Sequence, residues 1–288
     1  MIPAQFDYQA PATLEEAIAL LAGDPDGAKV LAGGHSLIPA MKLRLAQPQL
    51  LVDIARIKSL SYIREEGDQI LIGATTTHYQ LESSDLLKNV CPLLPACAAS
   101  IGDVQVRNKG TIGGSLAHSD PAGDWPAAAL ALGAELVMQG PNGERTVHAD
   151  SFFIDLMTTD VQPGEILREI RIKKPSGRFG HAYQKVPHPA SGFAVVGVAV
   201  HLGLNADGSC AAAGVGVTGV ALKAFRAQTV EATLTGSSLD DQTIAAAAAK
   251  VCDGVNPTQD LYASSDYRRH LAQVHTRRAI QAALASAK

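Results

Sequence analysis

Two short segments of matching composition constrain this chain more than anything else in it. Leu31-Ala32-Gly33-Gly34-His35-Ser36 and Thr111-Ile112-Gly113-Gly114-Ser115 each set paired glycines beside a small hydroxyl residue. Glycine lets the backbone come close to an anion and turn its N–H groups inward. The first segment follows a buried-strand pattern, Lys29-Val30-Leu31-Ala32. It precedes a predicted helix running to Leu45 that Ser36 can cap, and a helix start there adds favourable partial charge. Two readings stand at this point: two tight turns, or two loops that converge on one pyrophosphate.

The competing motifs are missing. The sequence contains no G-x-x-x-x-G-K-[ST] and no G-x-G-x-x-G after a strand. Gly214-Val215-Gly216-Val217-Thr218-Gly219 comes nearest, but it lies in a β-rich run with no helix directly after it, so it reads as packing. No G-x-S-x-G elbow points to a hydrolase. His118 and Asp120 form a two-ligand pair without a third partner, so no metal site is expected. Cys91, Cys97, Cys210 and Cys252 include no C-x-x-C pair and read as reduced packing thiols, not as a cluster or zinc site. A net charge of −4 and 5% aromatic residues argue against a nucleic-acid surface. No apolar run approaches the ~20 residues of a membrane span, and the N-terminus shows no signal core, so the expectation is a cytoplasmic protein without an integral membrane segment.

Along the chain, Thr13-Leu14-Glu15-Glu16 has capping-box form, Leu14, Ala17, Ile18 and Leu21 make one apolar stripe, and Gly23 is placed to close that helix in a left-handed conformation. With strands near 29–32 and 50–54 this makes a β-α-β unit, so residues 1–55 form an N-terminal α/β lobe. Residues 56–176 are mixed. Strands are expected near 69–72, 135–139 and 166–172, a helix over 84–101 interrupted at Pro92 and Pro95, and a short helix from Pro126 that Asp124 caps. The turn-rich stretch Lys173 to Arg178 marks a boundary. Residues 177–288 then hold two Ala- and Gly-rich strands, 193–204 and 210–220, joined by a hairpin at 205–208, and three helices. Something must pack closely on those strands. The last helix, 265–285, is expected to carry Tyr267, Leu271 and Ile280 on its apolar face and Arg268, Arg269, Arg277 and Arg278 on a solvated one.

The two glycine motifs, the run Val106-Arg107-Asn108-Lys109-Gly110 before the second, and Asp120-Pro121-Ala122-Gly123-Asp124 after it resemble the FAD-binding medium subunit of molybdenum hydroxylases. The nearest likeness is to the aerobic carbon monoxide dehydrogenase group; the xanthine dehydrogenase flavin domain is more distant. Tyr267-Arg268-Arg269-His270-Leu271 resembles the same family's C-terminal domain. The resemblance implies an α+β fold: a two-lobed FAD-binding domain of the PCMH/vanillyl-alcohol-oxidase type, then a C-terminal α+β domain with an antiparallel sheet and helices. It implies FAD held by Lys29, Val30, Leu31, Ala32, Gly33, Gly34, His35 and Ser36 and by Thr111, Ile112, Gly113, Gly114 and Ser115, with Ile101 packing near it. Asp124 would bind hydroxyls of the flavin nucleotide, the backbone at Leu167 the adenine side or ring edge, and Lys185 would approach from the C-terminal domain. Phe193 stands where relatives often have an aromatic residue near the isoalloxazine ring, and it lacks a phenolic hydroxyl. Ser115 departs from the asparagine of many relatives, which leaves the backbone N–H role as the expected one.

The implied function is electron transfer, with no acid–base catalytic residue. Electrons would pass from a molybdenum cofactor large subunit through an iron–sulfur small subunit to FAD in this chain, within a dimer of heterotrimers, and on to an external acceptor: quinone, NAD or oxygen. Two other classes remain open on the residues alone: a self-contained FAD oxidoreductase, and a non-catalytic assembly subunit that has lost its flavin.

Overall fold

The computed structural model describes residues 1–287. Its first layer is a parallel three-stranded sheet, built from β1 (Asp7–Gln9), α1 (Leu14–Gly23), β2 (Ala28–Leu31), α2 (Leu37–Lys42) and β3 (Leu50–Asp53) in the strand order β1-β3-β2. The Thr13 hydroxyl accepts from the Glu16 amide, and the Glu16 carboxylate accepts from the amide of Ala12 at 2.8 Å. The predicted left-handed closure at Gly23 does not form. Gly23 is the last helical residue, and Asp24 turns the chain into β2 by accepting from the Gly27 amide at 3.0 Å. The second helix also differs from expectation. It ends at Lys42, Arg44 takes the left-handed turn (φ 60°), and the Ser36 hydroxyl makes no cap bond.

The second layer is an antiparallel sheet with a group of helices that pack against one another. Its chain order is β4 (Ile63–Glu66), β5 (Gln69–Gly73), α3 (His78–Ser83), α4 (Asp85–Val90), α5 (Leu93–Ala99), α6 (Val104–Arg107), α7 (Ile112–His118), α8 (Asp124–Ala131), β6 (Glu135–Gly140), β7 (Gly143–His148), α9 (Ala149–Phe152), the small hairpin β8 (Phe153–Asp155) and β9 (Thr158–Thr159), and β10 (Ile166–Lys173). The strand order is β4-β5-β10-β6-β7. Pro92 divides the expected long helix by serving as the N-cap of α5, and Pro95 sits in that helix's first turn, where no N–H is missed. Asp124 does not cap α8. Gly123 holds that position, and the Asp124 carboxylate turns elsewhere.

The third layer is the antiparallel sheet β11-β12-β13-β14: β11 (Arg178–Pro187), β12 (Ala194–Leu204), β13 (Cys210–Thr218) and β14 (Phe225–Arg226), followed by α10 (Gln228–Leu234), α11 (Asp241–Ala249) and α12 (Ser265–Ser286). The small residues in its strands are explained by α8. A Cβ built on Gly214 or Gly216 would lie 2.0 Å from the carbonyl oxygen of Ala131 or Ala127. On β11, a Cβ at Gly180 would meet the Ala283 carbonyl of α12. The expected faces of α12 need correction. Arg268 is buried and its guanidinium donates to the carbonyls of Val195 (2.7 Å) and Gly219 (2.6 Å) and pairs with Asp260, whereas Tyr267 is half exposed.

Candidate functional site

The two glycine motifs come together. A Cβ on Gly33 would stand 2.3 Å from the Lys109 carbonyl oxygen and 2.8 Å from Gly110 Cα, so only glycine lets the first loop lie on the segment leading into the second. A Cβ on Gly114 would come within 4.0 Å of Ala32 Cβ. Gly34 has φ +76°, which favours glycine sterically. Among the described residues, the amides of Gly33, Gly34, His35 and Ser36 donate to no protein acceptor. Four consecutive free donors on a turn between a strand and a helix are backbone of the kind that can bind an anion.

The second motif is built differently. It is not a loop: Thr111 is the N-cap of α7, and Ile112 to Ser115 are its first turn. The amides of Ile112, Gly113, Gly114 and Ser115 donate to Thr76 O (3.1 Å), Ala74 O (2.9 Å), Thr111 Oγ1 (3.2 Å) and Thr111 O (3.0 Å). The expectation that these N–H groups wait for a phosphate is therefore corrected. Gly113 is a packing glycine, with Ala74 Cβ 2.4 Å from where its Cβ would be. Gly114 differs from it, since it is exposed; a Cβ there would meet the Thr111 hydroxyl at 2.7 Å and reach Ala32 Cβ only at 4.0 Å.

Beneath this motif lies a buried pair. Trp125 Nε1 donates to His78 Nδ1 at 3.0 Å, and a Cβ on Gly110 would be 2.6 Å from His78 Nε2. Burial, and then the proximity of the His35 ring and the Arg107 guanidinium, lower the His78 pKa to about 4, so the ring is neutral at pH 7. The sequence signal for this site is Thr77-x-x-Gln80, a full capping box at the start of α3.

Asp124 and Lys185 are brought together from α8 and β11. Lys185 Nζ donates to Asp124 Oδ2 and to the Ser100 carbonyl, both at 2.9 Å, and the Tyr183 hydroxyl donates to Asp124 Oδ1 at 2.5 Å. Burial pushes the Asp124 carboxyl above its ordinary range, against the pull of Lys185 and Tyr183. Burial and the neighbouring carboxylate push the Tyr183 phenol well above its own. Arg107 Nη1 donates to the carbonyls of Ile101 (3.1 Å) and Gly102 (3.2 Å), while its Nε pairs with Glu82 at 2.7 Å. No local sequence pattern singles out Tyr183 or Arg107, whose partners are distant in the chain or on turned carbonyls.

The other residues fall around this centre. Lys29, Val30 and Leu31 are in β2, the strand that delivers the first loop. Ile101 is half-buried at the edge of the middle core. Phe193 is half exposed on a cavity of about 350 Å³ that it shares with Pro121, Ala122, His188, Leu222 and Arg268. Its loop comes near the 100–102 segment, since a Cβ on Gly192 would be 3.9 Å from Gly102 Cα. Leu167 is buried on β10 with its side chain in the core, beside a bulge at Arg168, so only its backbone faces any ligand role. His118 Nε2 lies 4.0 Å from Asp120, and the described residues include no cluster of three or more metal-binding side chains.

Comparison with known proteins decides the family. The model of the FAD binding domain in molybdopterin dehydrogenase matches residues 4–175, and that of the CO dehydrogenase flavoprotein C-terminal domain matches residues 181–283. The chain belongs to the FAD-binding medium subunits of the molybdenum hydroxylases. It is 41% identical to the carbon monoxide dehydrogenase medium chain of Hydrogenophaga pseudoflava over 99% of both chains. It is 36% identical to the glyceraldehyde dehydrogenase medium chain of Sulfolobus acidocaldarius over 98% of this chain and 99% of that one. The solved carbon monoxide dehydrogenase of H. pseudoflava, in a form lacking the Mo-pyranopterin moiety of its cofactor, contains a chain that superposes with a TM-score of 0.97 at 42% identity, covering 100% of both. This medium subunit is therefore an FAD-binding component of an oxidoreductase, with the two-part α+β fold of its family. No helix among the described residues is long and apolar enough to cross a membrane.

Proposed function

We propose that this medium subunit holds FAD with its pyrophosphate on the first glycine loop and carries electrons out of a molybdenum hydroxylase complex. The observation that carries this reading is the run of free amides from Gly33 to Ser36, pressed against Lys109 and Gly110 by a glycine that cannot be replaced without displacing backbone. These residues fit the cofactor. The cradle offers backbone donors without a lysine, which is what a pyrophosphate takes. Lys29 to Ser36 line one side; on the other, only the exposed Gly114 and the half-buried Ser115 of the second motif reach the surface, while Thr111, Ile112 and Gly113 are buried behind them. Ile101 and Phe193 flank the ring end.

FAD, when bound, supplies the exchange between electrons arriving from an iron–sulfur centre and those leaving to an acceptor. The chain's own residues bind and orient it, and none is placed to transfer a proton to substrate. Its partners in this reading are an iron–sulfur small subunit and a molybdenum cofactor large subunit in a dimer of heterotrimers, with quinone, NAD or oxygen as acceptor. The hydroxylase substrate lies outside this chain, and relatives named for carbon monoxide and for glyceraldehyde match it over nearly their whole lengths.

The test is an absorption spectrum of the full chain after FAD addition and desalting, alone and with its partner subunits. Flavin absorption should be retained by the wild type and by Gly23→Ala, a glycine with open space around it, and lost in Gly33→Val. Full flavin occupancy in Gly33→Val would sink the cradle assignment.

A further inference from the structure

We infer that His78 is a positioning residue for the first glycine loop: pinned by Trp125, its ring is the support on which Gly110 and then Gly33 rest, so it sets where the amides of Gly33 to Ser36 lie. The inference rests on the flavin reading above, since the loop it positions is the one assigned to the pyrophosphate.

Contacts in line carry the argument. Trp125 Nε1 donates to His78 Nδ1 at 3.0 Å, from an indole buried in the first turn of α8. The opposite edge of the imidazole faces Gly110: a Cβ there would be 2.6 Å from His78 Nε2 and 2.8 Å from its Cδ2. A Cβ on Gly33 would in turn be 2.8 Å from Gly110 Cα. Indole, imidazole and two bare backbones thus follow one another from the middle core out to the loop, with no flexible side chain among them. Close-packed contacts of this kind pass a shift on instead of absorbing it.

The column is also fixed sideways. The His78 amide donates to the Gly110 carbonyl at 2.9 Å, the Ile112 amide to the Thr76 carbonyl at 3.1 Å, and the Gly110 amide to the Val106 carbonyl at 2.7 Å. Residue 110 is therefore held along the chain direction, and the ring beneath it sets its height. Because Nδ1 accepts from Trp125, the proton of the neutral ring sits on Nε2. Turning the ring over would leave the buried indole N–H without an acceptor, so Trp125 locks the edge that Gly110 meets. His78 and Trp125 lie outside both glycine motifs and act on the loop through Gly110.

The test is a size swap on the full chain. In Gly110→Ala the added methyl must push against the ring, and FAD binding measured by titration should weaken about tenfold. Combining it with His78→Ala removes the atoms the methyl meets, so the double variant should bind FAD more tightly than Gly110→Ala alone. Trp125 is the chain's only tryptophan, and its emission reports on the inner end of the column without any flavin. That emission should shift in Gly110→Ala, although His78 stands between the two residues. Trp125→Phe frees the ring to turn and should weaken FAD binding several-fold. Val230→Ala, a truncation in the separate C-terminal core, destabilises the chain without touching the column and should bind FAD like the wild type.

A double variant that binds FAD no better than Gly110→Ala overturns the inference, as does unchanged Trp125 emission in Gly110→Ala. Equal weakening in Trp125→Phe and Val230→Ala also overturns it, by making lost stability the cause. If Gly110→Ala does not fold, the comparison of Trp125→Phe with Val230→Ala decides. Loss of FAD in Gly33→Val with wild-type binding in the column variants leaves the cradle standing and this inference refuted. If Gly33→Val keeps its FAD, the positioning role falls together with the flavin reading; a shifted Trp125 emission in Gly110→Ala then shows that the contacts are real and the flavin assignment is at fault.

Discussion

The two glycine motifs share composition and differ in physics. The first is an open turn with four free amides, and its glycines let it lie against a neighbouring backbone. The second is the first turn of α7, its amides satisfied from within the fold, and Gly113 is there so that the helix can sit on Ala74. Paired glycine with a hydroxyl residue is thus two different devices: one exposes donors, and the other brings a helix close to a strand end. Only Gly114 of the second motif has the character of the first.

The largest effect that separates them should come from Gly113→Val. The added side chain must enter space held by Ala74 Cβ and its carbonyl, 2.4 and 2.7 Å from the Cβ position. Unfolding free energy should drop by about 3 kcal/mol, read from thermal or denaturant melts. Gly33→Val should do the reverse, emptying the flavin site while costing less stability, because its clash lies on a partly exposed loop. If the two variants behave alike in both assays, the distinction between the motifs is wrong.

Acid should loosen the second motif selectively. His78 has a folded-state pKa of about 4 against an ordinary 6.5, chiefly because it is buried. Its neutral form is favoured by folding, so the stabilisation is complete above pH 6.5 and fades as pH falls toward 4. The expected loss is about 3 kcal/mol across that window. A His78→Gln variant should show a flatter pH–stability curve there than wild type. His201, lowered to about 4 by burial and by His181, titrates in both proteins and cancels in the difference. Trp125→Phe should cost about 2 kcal/mol at pH 7 by leaving His78 Nδ1 without its donor, measured by denaturant melt. The smallest effect belongs to Ser36→Ala. Its hydroxyl caps nothing, so melts should agree with wild type within about 0.5 kcal/mol.

Legibility followed the range of the forces involved. The first lobe could be read because Thr13 and the Leu14–Leu21 stripe act within a few residues of one another. The hairpin of β12 and β13 could be read from its turn, and its small residues correctly called for a close neighbour without naming α8. β11 gave no such signal, since Arg178–Pro187 mixes charge, glycine and aromatic residues, and its identity comes from pairing with β12. α7 was hidden because two glycines in a helix start look like a loop. Arg268 seemed a surface cation because periodicity does not show that two carbonyls from β12 and the end of β13 await it. At the site, the loops were legible as motifs, but the donors that remain free were not. That depends on Ala74 and Thr76, which lie far earlier in the chain than the Gly113 and Ile112 amides they satisfy.

The seat of α8 on Gly214 and Gly216 also decides how the molecule can flex. Helix carbonyls there rest directly on a strand with no layer of side chains between, so neither surface can slide or part without opening a void. The middle helices and the C-terminal sheet therefore move as one rigid block. The N-terminal lobe has its own small core and is joined to that block through Ile166 of β10 and through Gly33, whose backbone lies directly against Lys109 and Gly110.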